Sequence, residues 1–361
     1  MDGHSARQRG AVPGQMKADA QVVVLGRIKA SVIRAALPSQ WEKEMGIMND
    51  KNNKINIWID CDPGIDDAVA LAMTAASRDA LHLLGVSTVA GNQTSDRVTG
   101  NALKLTAFFG MDDVPVVRGA RGPLVRPVEP AEDIHGADGL GNCALPETGK
   151  NVTSESGIFY MYTRMMALPD GERVTLVPTG PLTNIALLLR TFPEVKKKIA
   201  RIVLMGGSSS GGNVTPAAEF NIWADPEAAQ MVFAAGLPIV MCGLDVTLKS
   251  GLYGSQIETL CRSSRRAERA CGQMLRFYLD ATRHEGEEDM VAIHDAVTIL
   301  YLTNPELFGG RNVTVNVDCD WGAERGRTIC MDESNRQSVY LLDQVNLPEF
   351  QRILLAKLKS L

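Results

Sequence analysis

An apolar run that breaks into a burst of acids, INIWIDCDPGIDDAVALA at residues 55–72, limits how this chain can fold. Ile55 to Ile59, with Asn56 inside it, reads as a short buried strand. Pro63-Gly64 is a turn signal, and Ala68, Val69, Leu71, Ala72 and Met73 begin a helical apolar period. The stretch is therefore strand, tight turn, helix, with Asp66 or Asp67 expected to cap the helix. A cap needs one carboxylate, whereas Asp60, Asp62, Asp66 and Asp67 crowd into eight positions. Crowded acids raise one another's pKa unless a cation or hydrogen-bond donors compensate, and an all-oxygen cluster suits Ca²⁺ or Mg²⁺. The plainer reading is a solvated acidic turn. The tip of a strand leading into a helix is, however, where open α/β sheets hold their ligands.

Strand-like and helix-like segments alternate from Ile55 onward, which predicts βαβ units and a mainly parallel sheet flanked by helices. Expected strands are 81–89, 114–117, 174–177, 199–205 and 238–242, with helices between them. Asp225-Pro226 reads as a cap and first helical residue. From about Ser250 to Leu307 the pattern is helical, and late strands at 313–317 and 338–342 precede a closing helix at 348–358. No linker interrupts residues 54–361, so one α/β domain with a helical C-terminal part is expected. Residues 1–53 lack any sustained period and read as a disordered or non-native extension, with Met45 and Met48 as alternative starts.

Composition removes several functions. A net charge of −5 gives no basic footprint for nucleic acid, and no stretch is long and apolar enough for a membrane span. The seven cysteines form no CxxC pair, so neither a zinc knuckle nor a disulfide framework is indicated, and a reducing cytoplasm is expected. The strand-end residues Asp60, Asp62, Asn92, Thr179 and Asp245 are oxygen ligands and amides, the wrong inventory for phosphates. The Gly/Ser segment after Met205 also lacks the GK[ST] of a P-loop. Glu219 and Asn221, two apart and on one face if that piece is extended, join Asn213 as groups that suit sugar hydroxyls. Of five histidines, His135 lies in a glycine-rich loop and His294 directly precedes Asp295 and an apolar helix. That pair reads either as a simple cap or as a ligand beside a titratable acid.

DCDPGIDDAVAL at 60–71 resembles the signature of the inosine-uridine preferring nucleoside hydrolases. AGN at 90–92, HGADGLG at 135–141, VPTGPLTNIA at 177–186 and LMGG at 204–207 continue the likeness in order. GNVTPAAEFNIWADPEAA at 212–229, GLDVT at 243–247 and HDA at 294–296 complete it, and residues 1–53 lie outside. The resemblance implies Ca²⁺ held by Asp62, Asp67, Asp295 and the Thr179 carbonyl, with Asp60 ordering the cluster from behind. Asp66, Asn92 and Asn221 would hold the ribose 2′- and 3′-hydroxyls, and Asn213 and Glu219 the 5′-hydroxyl. Met205 would pack under the ribose, His135 would lie in a mobile loop over the base, and His294 would meet the leaving base. The reaction implied is N-glycosidic hydrolysis of a ribonucleoside through an oxocarbenium-like sugar. A metal-bound water is deprotonated by Asp62, and His294 protonates or hydrogen-bonds the departing base. Homodimers or homotetramers are implied as well.

Two positions depart from the family pattern. Thr282 stands where a second tyrosine often follows Tyr278 by one helical turn, and Ala296 replaces a proline. The first bears on base preference, which stays open between purine, pyrimidine and broad specificity. A haloacid-dehalogenase-like phosphatase also carries Asp-x-Asp at a strand end, but it wants Thr or Val where Gly64 stands. A non-catalytic nucleoside sensor would be expected to lose Asp62 or His294, and both are present.

Overall fold

Strand β1 (Ile55–Cys61) lies inside a nine-stranded sheet in a computed structural model that describes residues 54–282, 289–332 and 339–361. The extension 1–53, His4, His284 and Ser338 fall outside the described residues. The other strands are β2 (Leu81–Thr88), β3 (Val116–Arg118), β4 (Val174–Pro178), β5 (Ile199–Met205), β6 (Ile239–Cys242), β7 (Gly251–Tyr253), β8 (Met290–Ala292), β9 (Phe308–Val317), β10 (Thr328–Asp332) and β11 (Val339–Val345). The large sheet runs β10-β9-β11-β6-β5-β4-β1-β2-β3; it is parallel from β11 to β3 and antiparallel where β9 meets β10 and β11.

The main helices are α1 (Ile65–Ala75), α2 (Ser95–Phe108), α3 (Gly157–Met166), α4 (Thr183–Thr191), α5 (Pro226–Phe233), α6 (Gly254–Cys261), α7 (Arg266–Thr282), α8 (Ala296–Thr303) and α9 (Leu347–Ser360). Alternate residues of β1 serve opposite faces of the sheet. Ile57 and Ile59 pack in a cluster with Ala68 of α1, Leu275 of α7 and Leu300 of α8. Trp58 packs with Met161 of α3 and Ile185 of α4. Burial on both faces explains why the parallel strands read as mainly apolar runs rather than as alternating ones.

The chain adds β2 and β3 on one side of β1 and then returns to lay β4 on its other side. The strand order thus reverses between β1 and β4, and their carboxyl ends flank the crevice that such a reversal opens. Asp60 and Asp62 leave β1 there, and Thr179 follows β4 directly.

Three local expectations change. The cap of α1 is Gly64, not Asp66 or Asp67; Asp67 sits a turn inside and accepts the Gly64 N–H at 2.9 Å. Glu219 and Asn221 do not share an extended face, because Glu219 caps a helical turn, Phe220–Ala224. The stretch from Ser250 is not wholly helical: β7 and β8 pair there as a small antiparallel sheet, three residues each and too short to show a period.

Candidate active site

Five carboxyls converge at the switch point, all buried: Asp60 and Asp62 from the end of β1, Asp66 and Asp67 from the start of α1, and Asp295 from the start of α8. One oxygen each of Asp66, Asp67 and Asp295 lies within 4.8 Å of the others. Asp295 occupies the cap position of α8 without a side-chain bond to that helix, which leaves its carboxyl to the cluster. Asp67 is held from three sides, by the Gly64 N–H, by Asn92 Nδ2 at 3.2 Å and by the Thr179 hydroxyl at 2.8 Å.

Asp62 is held by one oxygen. Its Oδ2 accepts the Asn92 backbone N–H at 2.7 Å, while its Oδ1 is buried with no hydrogen-bond partner among the described residues. Asp66 Oδ1 is buried and unpartnered in the same way. Gly91 and Gly180 make room for Asp62, since a Cβ on either would lie 2.2 or 2.4 Å from a carboxylate oxygen. Behind them Asp60 Oδ1 accepts from Ser87 Oγ and from Asn184 Nδ2, the latter at 2.7 Å. Asn184 also donates to the Thr88 carbonyl and accepts the Ala120 N–H, and Trp58 Nε1 donates to Ser87.

Packing five acids away from water has an electrostatic consequence. Burial pushes Asp60 and Asp67 up to about 7, and the charge of Asp66 adds to the effect on Asp67. Burial and the charge of Asp67 hold Asp62 well above the usual carboxylate range. Burial and the neighbouring aspartates do the same to Asp295. Among the described residues, the main influences on these acids are burial, one another and hydrogen bonds, not Lys or Arg. Unpartnered oxygens on hard ligands, in a group small enough to share one ion, fit a divalent cation of the Ca²⁺ type. The metal set implied by resemblance includes Asp62; the triplet whose oxygens lie within 4.8 Å of one another has Asp66 in that place.

Of the residues expected to face the sugar, Asn221 and Glu219 lie at the β4 and β5 ends. Asn221 Nδ2 donates to the Thr179 carbonyl at 2.8 Å and the Met205 carbonyl at 3.1 Å. Glu219 accepts the backbone N–H groups of Gly207, Asn221 and Ile222, and burial lifts it to about 7. Asn213 is exposed, and its side chain accepts the Phe220 N–H.

His135 is not in an open loop. It ends a helical turn, Glu132–His135, is buried, and takes the Ile65 N–H on Nδ1 at 3.2 Å, so it closes the first turn of α1. Its ring lies 5.8 Å from that of Tyr278, and burial lowers it to about 4. His294 is buried with Nδ1 2.8 Å from Thr247 Oγ1; burial lowers it, while the Asp66 charge acts the other way. Sequence reasoning misses Asn184, Ser87 and Thr247. A polar residue at the start of the helix that follows a strand tip, as in TGPLTN, is the available signal for Asn184 alone.

A parallel sheet with its acids collected at the switch point has the layout of an α/β enzyme acting on a small ligand. Residues 57–352 match the inosine-uridine preferring nucleoside hydrolase family, and the chain belongs to it. It is 42% identical over 275 residues to the pyrimidine-specific ribonucleoside hydrolase RihA of Photobacterium profundum, a match that covers 76% of this chain and 87% of that one. Against the RihA of an Enterobacter species, identity is again 42%, over 276 residues and the same shares of each chain. Among solved structures, a plant nucleoside hydrolase superposes with a TM-score of 0.79 at 30% identity, over 86% of this chain and 100% of that one. The purine-preferring ribonucleoside hydrolase from Gardnerella vaginalis does so with 0.78 at 28%, over 84% and 98%. This chain is accordingly an enzyme that hydrolyses the N-glycosidic bond of ribonucleosides.

Proposed function

We propose that the enzyme prefers pyrimidine ribonucleosides and works with Ca²⁺ held by Asp67, Asp295, the Thr179 carbonyl and one or both of Asp62 and Asp66. The observation that carries the mechanism is Asp62 Oδ1, a buried oxygen without a partner beside the acidic triplet. When bound, Ca²⁺ offsets the repulsion among these carboxyls and makes a nearby water more acidic. Asp62 takes a proton from the attacking water at Oδ1, the new bond forms to C1′, and the bond from C1′ to the base nitrogen breaks. His294 gives a proton to the departing base.

The ring of carboxylates and amides favours positive charge growing on the ribose. Asn221 has spent its Nδ2 on two carbonyls, so Oδ1 is what it offers a ribose hydroxyl. Asp66 and Asn92 complete the 2′,3′ side, Met205 lies beneath the ring, and Glu219 and Asn213 serve the 5′-hydroxyl. The likeness to pyrimidine-specific relatives supports the base preference. Thr282 agrees with it: its hydroxyl donates to the Tyr278 carbonyl, a helix-internal bond that does not reach a base. Seven free thiols support a cytoplasmic setting, a role in nucleoside salvage follows from the products, and the family supports a homodimer or homotetramer.

The test is a panel of uridine, cytidine, inosine, adenosine and guanosine with reducing-sugar detection. Uridine and cytidine should be cleaved at least about tenfold better than the purines. Faster cleavage of inosine or guanosine would reverse the assigned preference.

A further inference from the structure

Thr247 and His294 come from segments 47 positions apart, and the small β7–β8 sheet brings them together. Gly251 to Tyr253 pair with Ala292 to Met290, and the Ile293 N–H donates to the Ser250 carbonyl at 2.9 Å. That zip ends one residue before His294 and three residues after Thr247. Both side chains are buried, and Thr247 Oγ1 lies 2.8 Å from His294 Nδ1.

The backbone of Thr247 is fully used: its N–H donates to Gly243 and its carbonyl accepts from Ser250. Its hydroxyl is not turned back onto the helix, unlike that of Ser250, which donates to the Val246 carbonyl. Among the described residues Thr247 Oγ1 has no hydrogen-bond partner besides His294 Nδ1. A hydroxyl both donates and accepts, so it can hold Nδ1 in either protonation state of the ring and leaves Nε2 as the nitrogen that gives up a proton.

We infer that Thr247 is a positioning residue, which fixes the His294 ring with Nε2–H toward the leaving base. This rests on the assignment of His294 as the group that protonates the base. The same dependence makes Thr247 matter most for substrates whose base leaves poorly. An aryl riboside with an acidic phenol needs no proton on departure.

The experiment compares Thr247→Val, Thr247→Ser and His294→Ala on uridine and on p-nitrophenyl riboside. Thr247→Val should lower kcat on uridine about 10- to 100-fold and on the aryl riboside less than about threefold, with KM nearly unchanged. Thr247→Ser should stay within about threefold on both. Equal losses on the two substrates, or a serine variant as poor as valine, overturn the inference. If His294→Ala spares the difference between substrates, the role of His294 itself falls, and this inference with it. If His294→Ala discriminates and Thr247→Val does not, only Thr247 is refuted.

Discussion

A Cβ added to Gly180 would lie 2.4 Å from Asp62 Oδ1, the one oxygen of that carboxylate without a partner. Nothing larger than hydrogen fits, and the side chain that would have to yield is the proposed base. Gly180→Ala should cut kcat about 100-fold, the scale expected for displacing a reacting group by an ångström. The melting temperature should move by only a few degrees. Near-normal turnover would show that Asp62 has room to move and that its position is not critical.

Asp62→Asn separates position from chemistry. The amide can turn its oxygen to the Asn92 N–H, so the 2.7 Å bond survives while the proton acceptor is lost. Ribose release should fall about 10²- to 10⁴-fold with the circular dichroism unchanged. Activity within a factor of ten of the parent would assign the base elsewhere.

Chelation should destabilise the enzyme, and more so at higher pH. Asp60 and Asp67 at about 7, and Glu219 at about 7, lie far above their ordinary values. Between about pH 4 and 7 the folded chain therefore binds more protons than the unfolded chain, and stability falls as pH rises through 7. His135, lowered to about 4, works in the opposite sense, since its contribution is lost as pH falls from about 6.5 toward 4. Three raised carboxyls outweigh one lowered imidazole. Melting temperature of the chelated protein should thus decline from pH 5 to 7.5, and Ca²⁺ should restore most at the upper end. A chelated enzyme that gains stability over that range would contradict the electrostatic account.

Asn184 secures Asp60, the Thr88 carbonyl and the Ala120 N–H together. Asn184→Ala leaves two buried groups and the half-buried Ala120 N–H short of a partner, at a cost of about 1–3 kcal/mol for each that water cannot reach. Ca²⁺ affinity should also weaken by about 10- to 100-fold, as when an outer support of a metal ligand is lost. Calorimetric titration with Ca²⁺ reads this directly; unchanged affinity would reduce Asn184 to a purely structural part.

The family match begins at residue 57, so removal of residues 1–47 should leave kcat/KM for uridine unchanged. Failure of the shortened chain to fold would give the extension a structural role.

The strands that carry the site are legible in the sequence because both faces of the sheet are buried: Ile199–Met205 is apolar except for the buried Arg201 and appears as a strand with those bounds. Asp225-Pro226 is equally legible, and its carboxylate does accept the Ala228 N–H. Strand β10 is not, because Ile329 and Met331 are exposed at the sheet edge and give no inward-outward signal. Within the site, the acids can be read from their density in 60–67. The pairing of Thr247 with His294 and of Asn184 with Asp60 cannot, since each depends on a tertiary approach that no local period encodes. His135 is legible as a residue but not as a cap, because its acceptor role is created by α1, a helix seventy positions earlier.

The distance along the chain between Asp62 and Asp295 has a bearing on synthesis. The first four aspartates leave the ribosome more than two hundred residues before the fifth. At ordinary translation rates that interval is roughly ten to fifty seconds. During it, β1 has neither β4 beside it at first nor α8 against its acids, so a nascent chain has an incomplete ion site and little reason to bury those charges. The last carboxylate to be made is the one that closes the cluster, so ion capture becomes a late event, and a chain truncated before residue 295 has no site to fill.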